Sequence, residues 1–330
     1  MGDKFAYSNP VYDGYFADPA VRCFDGIYWA YGTGNGPQSD GREFPILRSE
    51  DLAHWTYVGG ALVKPDAASM NSGRAAFTAY WAPEVVECNG NFYLYYSAAT
   101  AEGDTTHRLR VAVADHPAGP FSDAGRVAMP AALAEAFCID AHPFFDPGEG
   151  RWYLFFATDF FDGRVGTGTA AFVLGKDMCS AAGEARTVLR PWADWMIYQR
   201  DRRLYGRTWA AWHTLEGPWV WPHEGKYYCF YSGGNWQTAQ YGVGCGVAEH
   251  PLGPWRDEWN GPGPSVLSGV AGKILGPGHA SIAAGPEGRE FIVYHAWDLA
   301  GRTRRMCIDP LVWTQGGPKC AGATVGEVCS

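Results

Sequence analysis

No apolar run in the sequence approaches the ~18 residues that a membrane-crossing helix requires, so no membrane span is expected. Positive charge is scarce as well. Lys and Arg number 26 against 35 Asp and Glu, a formal net charge of −9, which is the wrong sign for a polyanion partner. The only basic clusters are short, at 200–203 and 302–305, and no nucleic-acid partner is expected. The stretch Met1-Gly2-Asp3-Lys4-Phe5 lacks the apolar centre of a secretory leader. The nine cysteines form no Cys-x-x-Cys pair and their number is odd. Cys229, Cys245 and Cys307 sit inside apolar strand patterns, where a free thiol behaves as a small hydrophobe. A reduced, cytoplasmic protein is the expectation, reversed to a secreted one if a leader has been removed. Missing too are the Gly-x-x-x-x-Gly-Lys-Ser/Thr phosphate cradle, the Gly-x-Ser-x-Gly elbow and any zinc-ligand spacing. No required cofactor is expected, and no sequence feature sets an oligomeric state.

Helical periodicity is nearly absent. Apolar residues alternate two-fold and are punctuated by 43 Gly and 22 Pro, as short strands and tight turns require. Five segments repeat one pattern: an anchor, an apolar strand, a Gly turn and an aromatic strand. They begin at Asp18-Pro19-Ala20-Val21, Trp81-Ala82-Pro83-Glu84, Asp140-Ala141-His142-Pro143, Glu216-Gly217-Pro218-Trp219 and His279-Ala280-Ser281-Ile282. Aligned on the aromatic strands, Trp81, Glu216 and His279 fall in register, with Asp18 and Asp140 within two residues of it. Further strands follow in each unit, and the near copies His116-Pro117-Ala118-Gly119-Pro120-Phe121 and His250-Pro251-Leu252-Gly253-Pro254-Trp255 reinforce the repeat. An all-β, five-bladed β-propeller is predicted, as a single domain over 1–330. The Trp- and Arg-rich interval 160–213 departs from the period, and is expected to hold the outer strands of the third blade plus a loop over one face.

In a propeller the innermost strand of each blade lines the central channel, so the five anchors converge. Glu216, the only charge between Thr214 and Pro222, then joins Asp18 and Asp140 in one pocket. Paired carboxyls suit glycosidic hydrolysis, one protonating the leaving oxygen while the other activates water. Burial and like charge raise the pKa of the acid. Trp81 offers a flat face for a sugar ring, and His279 a contact to water, metal or substrate. A non-catalytic carbohydrate-binding propeller and a phosphorylase-type propeller are the rival readings.

The chain resembles glycoside hydrolase family 43. The resemblance rests on Asn9-Pro10-Val11, Phe16-Ala17-Asp18-Pro19, Trp81-Ala82-Pro83-Glu84, Ile139-Asp140, Glu216-Gly217-Pro218, Gly276-Pro277-Gly278-His279 and Arg305-Met306-Cys307-Ile308-Asp309-Pro310-Leu311. It implies an inverting mechanism, with Asp18 as general base, Glu216 as general acid and Asp140 orienting that acid and tuning its pKa. It also implies substrate contacts from Trp81, His279 and Arg305, and in some members a calcium ion or ordered water beside His279. The expected substrate is an arabinose- or xylose-containing plant oligosaccharide, with exo-acting α-L-arabinofuranosidase first, then β-xylosidase or endo-arabinanase.

Overall fold

The computed structural model describes residues 5–65, 76–324 and 326–329, without the side chains of residues 287 and 327–329. Met1–Lys4 and the thiol of Cys329 lie outside the described residues.

Five antiparallel blades follow one another around a central channel, a five-bladed β-propeller, the first joined to the second and the third to the fourth by short parallel pairings. The blades begin with the inner strands Ala17–Phe24, Phe77–Cys88, Cys138–Asp146, Arg207–His223 and Leu275–Ala284. Each is followed by the aromatic strand read from the sequence: Ile27–Thr33, Asn91–Thr100, Arg151–Phe160, Lys226–Gly233 and Glu290–Trp297. These second strands are buried on both faces. In Tyr28-Trp29-Ala30-Tyr31, residues 28 and 30 face the fifth blade while 29 and 31 face the second. Five apolar clusters result, one in each gap between neighbouring blades.

Every inner strand carries the same β-bulge near its start. Three residue steps on the inner strand oppose two on the second, at 17–20, 81–84, 139–142, 216–219 and 278–281. The left-handed residue of each bulge is Asp18, Ala82, Asp140, Gly217 or His279, with φ between 46° and 58°. The repeat register therefore differs from the sequence alignment. Ala82 and Gly217 are the equivalents of Asp18, Asp140 and His279, while Trp81 and Glu216 stand one residue earlier. A bulge inserts one residue and re-aims its neighbours, so both kinds of position reach the channel mouth.

The bulges are tied across blades. The N–H of each left-handed residue turns toward the preceding blade, where it needs an acceptor. Ala82 donates to Thr33 Oγ1 (2.8 Å), Asp140 to Ser97 Oγ (3.0 Å), His279 to Ser232 Oγ (2.7 Å) and Asp18 to His295 Nδ1 (3.1 Å). Gly217 donates instead to Asp140 Oδ2 (2.9 Å).

The two His-Pro-x-Gly-Pro copies form the same turn, its histidine Nδ1 accepting the N–H of Ala118 or Leu252 at 3.0 Å. In the 160–213 interval, the third blade completes its outer edge with Gly166–Val173 and Arg186–Thr187. The chain then forms a β-hairpin rather than a loop, pairing Ile197–Leu204 with the first half of Arg207–His223. That 17-residue strand is half hairpin and half inner strand, and Glu216 lies in the second half. Gly166 pairs with His213 where these blades meet. A Cβ there would collide with the His213 carbonyl oxygen, so glycine is obligatory.

The ring closes through the N-terminal segment. Asn9 reads the last blade with its amide, giving Nδ2–H to Ile308 O (2.6 Å) and accepting Ile308 N–H at 2.9 Å. Beside it the buried Asp309 carboxylate accepts the hydroxyls of Tyr7 (3.0 Å) and Tyr294 (2.6 Å). Replacing Asn9 by Ala leaves two buried backbone groups unpaired, worth about 2–4 kcal/mol together. Asn9→Ala is expected to lower Tm by several degrees with an unchanged far-ultraviolet spectrum; an unchanged Tm would show that closure rests elsewhere.

Candidate active site

Asp18, Trp81, Ile139, Asp140, Glu216, Trp236, Tyr241, His279 and Arg304 line one cavity of about 230 Å³ at the channel mouth. The structure thus brings together Asp18, Asp140, Glu216, Trp81 and His279 from five blades. It does not bring Arg305. Successive side chains of a strand point to opposite sides, and in Arg304–Thr314 it is Arg304 that turns inward. Arg305 faces out, 3.4 Å from the exposed Asp13 carboxylate. The arginine that lines the pocket is therefore Arg304, one residue from the position expected.

Asp18 is set by the first and last blades. Thr33 Oγ1 accepts the Ala82 N–H, so its own hydrogen is free for Asp18 Oδ2 at 2.6 Å. Oδ1 lies 3.3 Å from Arg304 Nη1 and from His295 Nδ1, and 3.5 Å from His279 Nδ1. Burial pushes the Asp18 carboxyl up, but the Arg304 guanidinium, then His279 and His295, outweigh it and hold the group well below its usual range. Arg304 is fixed by a 3.0 Å hydrogen bond to Tyr15 Oη and by the Trp236 ring 4.5 Å away. Burial lowers both histidines, His295 to about 4, so Arg304 is the permanent cation here.

The other two carboxyls meet the opposite conditions. Burial raises Glu216 to about 7, aided by the charge of Asp18 and opposed by the Tyr241 hydroxyl, which donates to Oε1 at 2.9 Å. Burial raises Asp140 well above the carboxylate range, with Glu216 and Asp18 adding to the rise and the Gly217 N–H working against it. Two buried carboxyls this close resist joint ionisation and titrate as a unit. One pocket therefore holds an ionised carboxylate and, below about pH 7, a protonated pair.

Trp81 stacks on His107, with ring centroids 3.7 Å apart, and lines both this cavity and a second of about 90 Å³. The second cavity shares Ile139, Glu216 and Trp236 with the first, and the hairpin supplies Tyr198, Arg202, Leu204 and Trp212 to it. Glu216 stands at the junction of the two.

Deeper along the inner strands, Glu84 Oε2 accepts His142 Nδ1–H at 2.8 Å and faces Arg22 Nη2 at 3.4 Å. His142 Nε2 accepts the Val220 N–H at 3.0 Å, so the imidazole is neutral with its hydrogen on Nδ1. A calcium ion takes about six to eight oxygen ligands. Among the described residues no three His, Cys, Asp or Glu side chains gather as a metal-ligand set. The donors near His279 do not fit a protein-built calcium cage.

Sequence reasoning missed Tyr241, Trp236, Thr33 and His295. A signal for the last two was present: Thr33, Ser97, Ala157, Ser232 and His295 occupy one place in the five aromatic strands, paired with residues 17, 81, 139, 216 and 278. Tyr241 carried none, since only the fold sets its hydroxyl against Glu216. Removing that hydroxyl removes a hydrogen bond favouring the ionised acid. Tyr241→Phe is expected to move the Glu216 titration up from about 7, by up to about one unit, in carboxyl ¹³C NMR; a downward shift would overturn this coupling.

Residues 7–318 match Glycosyl hydrolases family 43. The chain is 28% identical over 324 residues to the beta-D-galactofuranosidase xynD of Aspergillus niger, covering 94% of this chain and 83% of that protein. It is 27% identical over 270 residues to a xylosidase/arabinosidase of Bacteroides ovatus, covering 73% and 76%. The crystal structure of a thermostable family-43 glycoside hydrolase superposes with a TM-score of 0.79 at 30% identity, over 96% of both chains. With its five blades and three converging carboxyls, the chain belongs to glycosyl hydrolase family 43.

Proposed function

We propose that this glycoside hydrolase is an exo-acting α-L-arabinofuranosidase that works by inversion, its five blades forming one catalytic domain. The observation that carries the reading is the split between carboxyls of one pocket, with Asp18 held ionised by Arg304 and Glu216 raised by burial to about 7, so that it keeps its proton below that pH. Such a split assigns base and acid within one site. Asp18 takes a proton from water as the water oxygen bonds to the anomeric carbon. Glu216 gives its proton to the glycosidic oxygen as that carbon–oxygen bond breaks, so the sugar leaves with inverted configuration. Asp140, tied to the peptide after Glu216, holds the acid in place. Arg304 and His279 face the sugar beside the base, and Trp81 and Trp236 offer it flat walls.

Exo action is supported by the shape of the site. The cavity with Asp18 has room for one ring and is walled by Trp236, Tyr241 and Arg304. The leaving group would enter the second cavity under the hairpin, meeting the first at Glu216. A furanose is supported by relatives named as a beta-D-galactofuranosidase and an exo-alpha-(1->5)-L-arabinofuranosidase. The first name favours a second reading, β-D-galactofuranoside hydrolysis, because that ring has the α-L-arabinofuranose configuration with one extra carbon. Free thiols on all eight described cysteines support a reducing, cytoplasmic setting and short imported oligosaccharides as substrate.

The deciding measurement is kcat/KM on 4-nitrophenyl α-L-arabinofuranoside, β-D-xyloside and β-D-galactofuranoside. Highest turnover of the arabinofuranoside is expected; preference for either other glycoside sinks the arabinose assignment, and no turnover of any sinks the catalytic reading. Glu216→Gln is expected to lose about 10²–10⁴-fold on arabino-oligosaccharides and far less on an aryl glycoside, whose leaving group needs little protonation. Equal losses would remove Glu216 from the acid role. Asp18→Asn is expected to be inactive on both substrates, since each requires activated water.

In kcat/KM against pH, activity should fall as pH rises through about 7, where Glu216 loses its proton. It should persist on the acid side until Asp18 is protonated, below the usual carboxyl range. A basic limb unchanged in Glu216→Gln assayed on the aryl glycoside would assign that limb to another group.

A further inference from the structure

Four of the five bulges hand their exposed N–H to a side chain at one fixed place, the end of the preceding blade's second strand. Thr33, Ser97, Ser232 and His295 fill that place. In the third blade the same place, paired with Ile139, is Ala157, which has no acceptor to offer. The Gly217 N–H left over is taken by Asp140 Oδ2. That N–H belongs to the peptide joining Glu216 to Gly217, so the contact ties one carboxyl to the backbone carrying the other.

We propose that Ala157 is a positioning residue by what it withholds: lacking a hydroxyl, it reserves the Gly217 N–H for Asp140 and so fixes Asp140 against Glu216. The inference rests on the acid role proposed for Glu216, and it identifies why the third carboxyl sits where it does. Ala157 is fully buried, so a hydroxyl added there has no solvent to turn toward. The other blades show what it would do. Ser97 and Ser232 accept the N–H outright, and Thr33 accepts it while facing Asp18 Oδ2 at 2.6 Å. A serine oxygen at 157 would occupy the place of Asp140 Oδ2. Asp140 would then either retract or accept a hydrogen from the new hydroxyl, and its direct hold on the acid's backbone would be lost. Without the Gly217 N–H, which opposes its rise, Asp140 would be pushed up further.

A double-mutant cycle tests this with Ala157→Ser, Asp140→Ala and their combination, and with Ala157→Gly as control. In Asp140→Ala the Gly217 N–H has no partner, and a serine at 157 restores one. Ala157→Ser is therefore expected to raise Tm in the Asp140→Ala background and to lower it in the native background. Equal Tm changes in both backgrounds, or failure to fold in both, would overturn the proposal; misfolding only beside the native Asp140 supports it. This readout needs no turnover, so it stands apart from the enzymatic assignment.

In the native background, Ala157→Ser is expected to lower kcat on arabino-oligosaccharides at least about tenfold, in keeping with the cost of small misplacements at a reacting centre. The loss on the aryl glycoside should be smaller. Ala157→Gly, which adds no acceptor, should keep the rate. Equal losses on the two substrates, or a comparable loss in Ala157→Gly, would reduce Ala157 to simple packing.

Discussion

The structure depends on one repeated constraint, a left-handed residue at the bulge of each inner strand, with its N–H passed to the neighbouring blade. Four of the five are not glycine, and a non-glycine residue in that region costs about 1–2 kcal/mol. The interblade hydrogen bonds and the apolar clusters between blades offset this. Strain of this kind concentrates at functional sites, and two of the strained residues, Asp18 and Asp140, supply two of the three carboxyls of the pocket. The bulge turns each out of the ladder and toward the axis, which a regular strand would not do.

From that geometry the electrostatics follow. The first and last blades give Asp18 an arginine, two imidazoles and a hydroxyl, so its charge survives burial. The third and fourth give Asp140 and Glu216 each other, with one backbone N–H and one phenol between them. Chemically similar groups therefore reach opposite protonation states a few residues from a common axis. The hairpin adds a further decision. Because its second strand runs on into the fourth blade, its aromatic wall and the acid share one piece of backbone, and the enclosure of the second cavity is built onto Glu216 itself.

Much of this was legible beforehand. Two-fold alternation and copied turns revealed five blades, because both-face burial imposes one pattern on every second strand. Asp18, Asp140, Glu216, Trp81 and His279 could be named because each stands at the start of a repeat. The register was off by one at Trp81 and Glu216, because the hairpin that follows His279 is one residue longer than those that follow Trp81 and Glu216. The arginine was likewise misplaced by one, at 305 instead of 304, because two adjacent arginines look alike until strand alternation decides which faces inward.

The sequence by itself determined the architecture and the five pocket residues that open the repeats, since both are written in local periodicity and repeat position. Tertiary structure alone decided which carboxyl keeps its charge, that Arg304 attends it while Tyr241 attends Glu216, and that the long insertion is a hairpin beside Glu216. Those outcomes depend on distances between blades nearly the whole chain apart, such as Asp18 to Arg304. They depend as well on the loss of water around groups that no local pattern distinguishes.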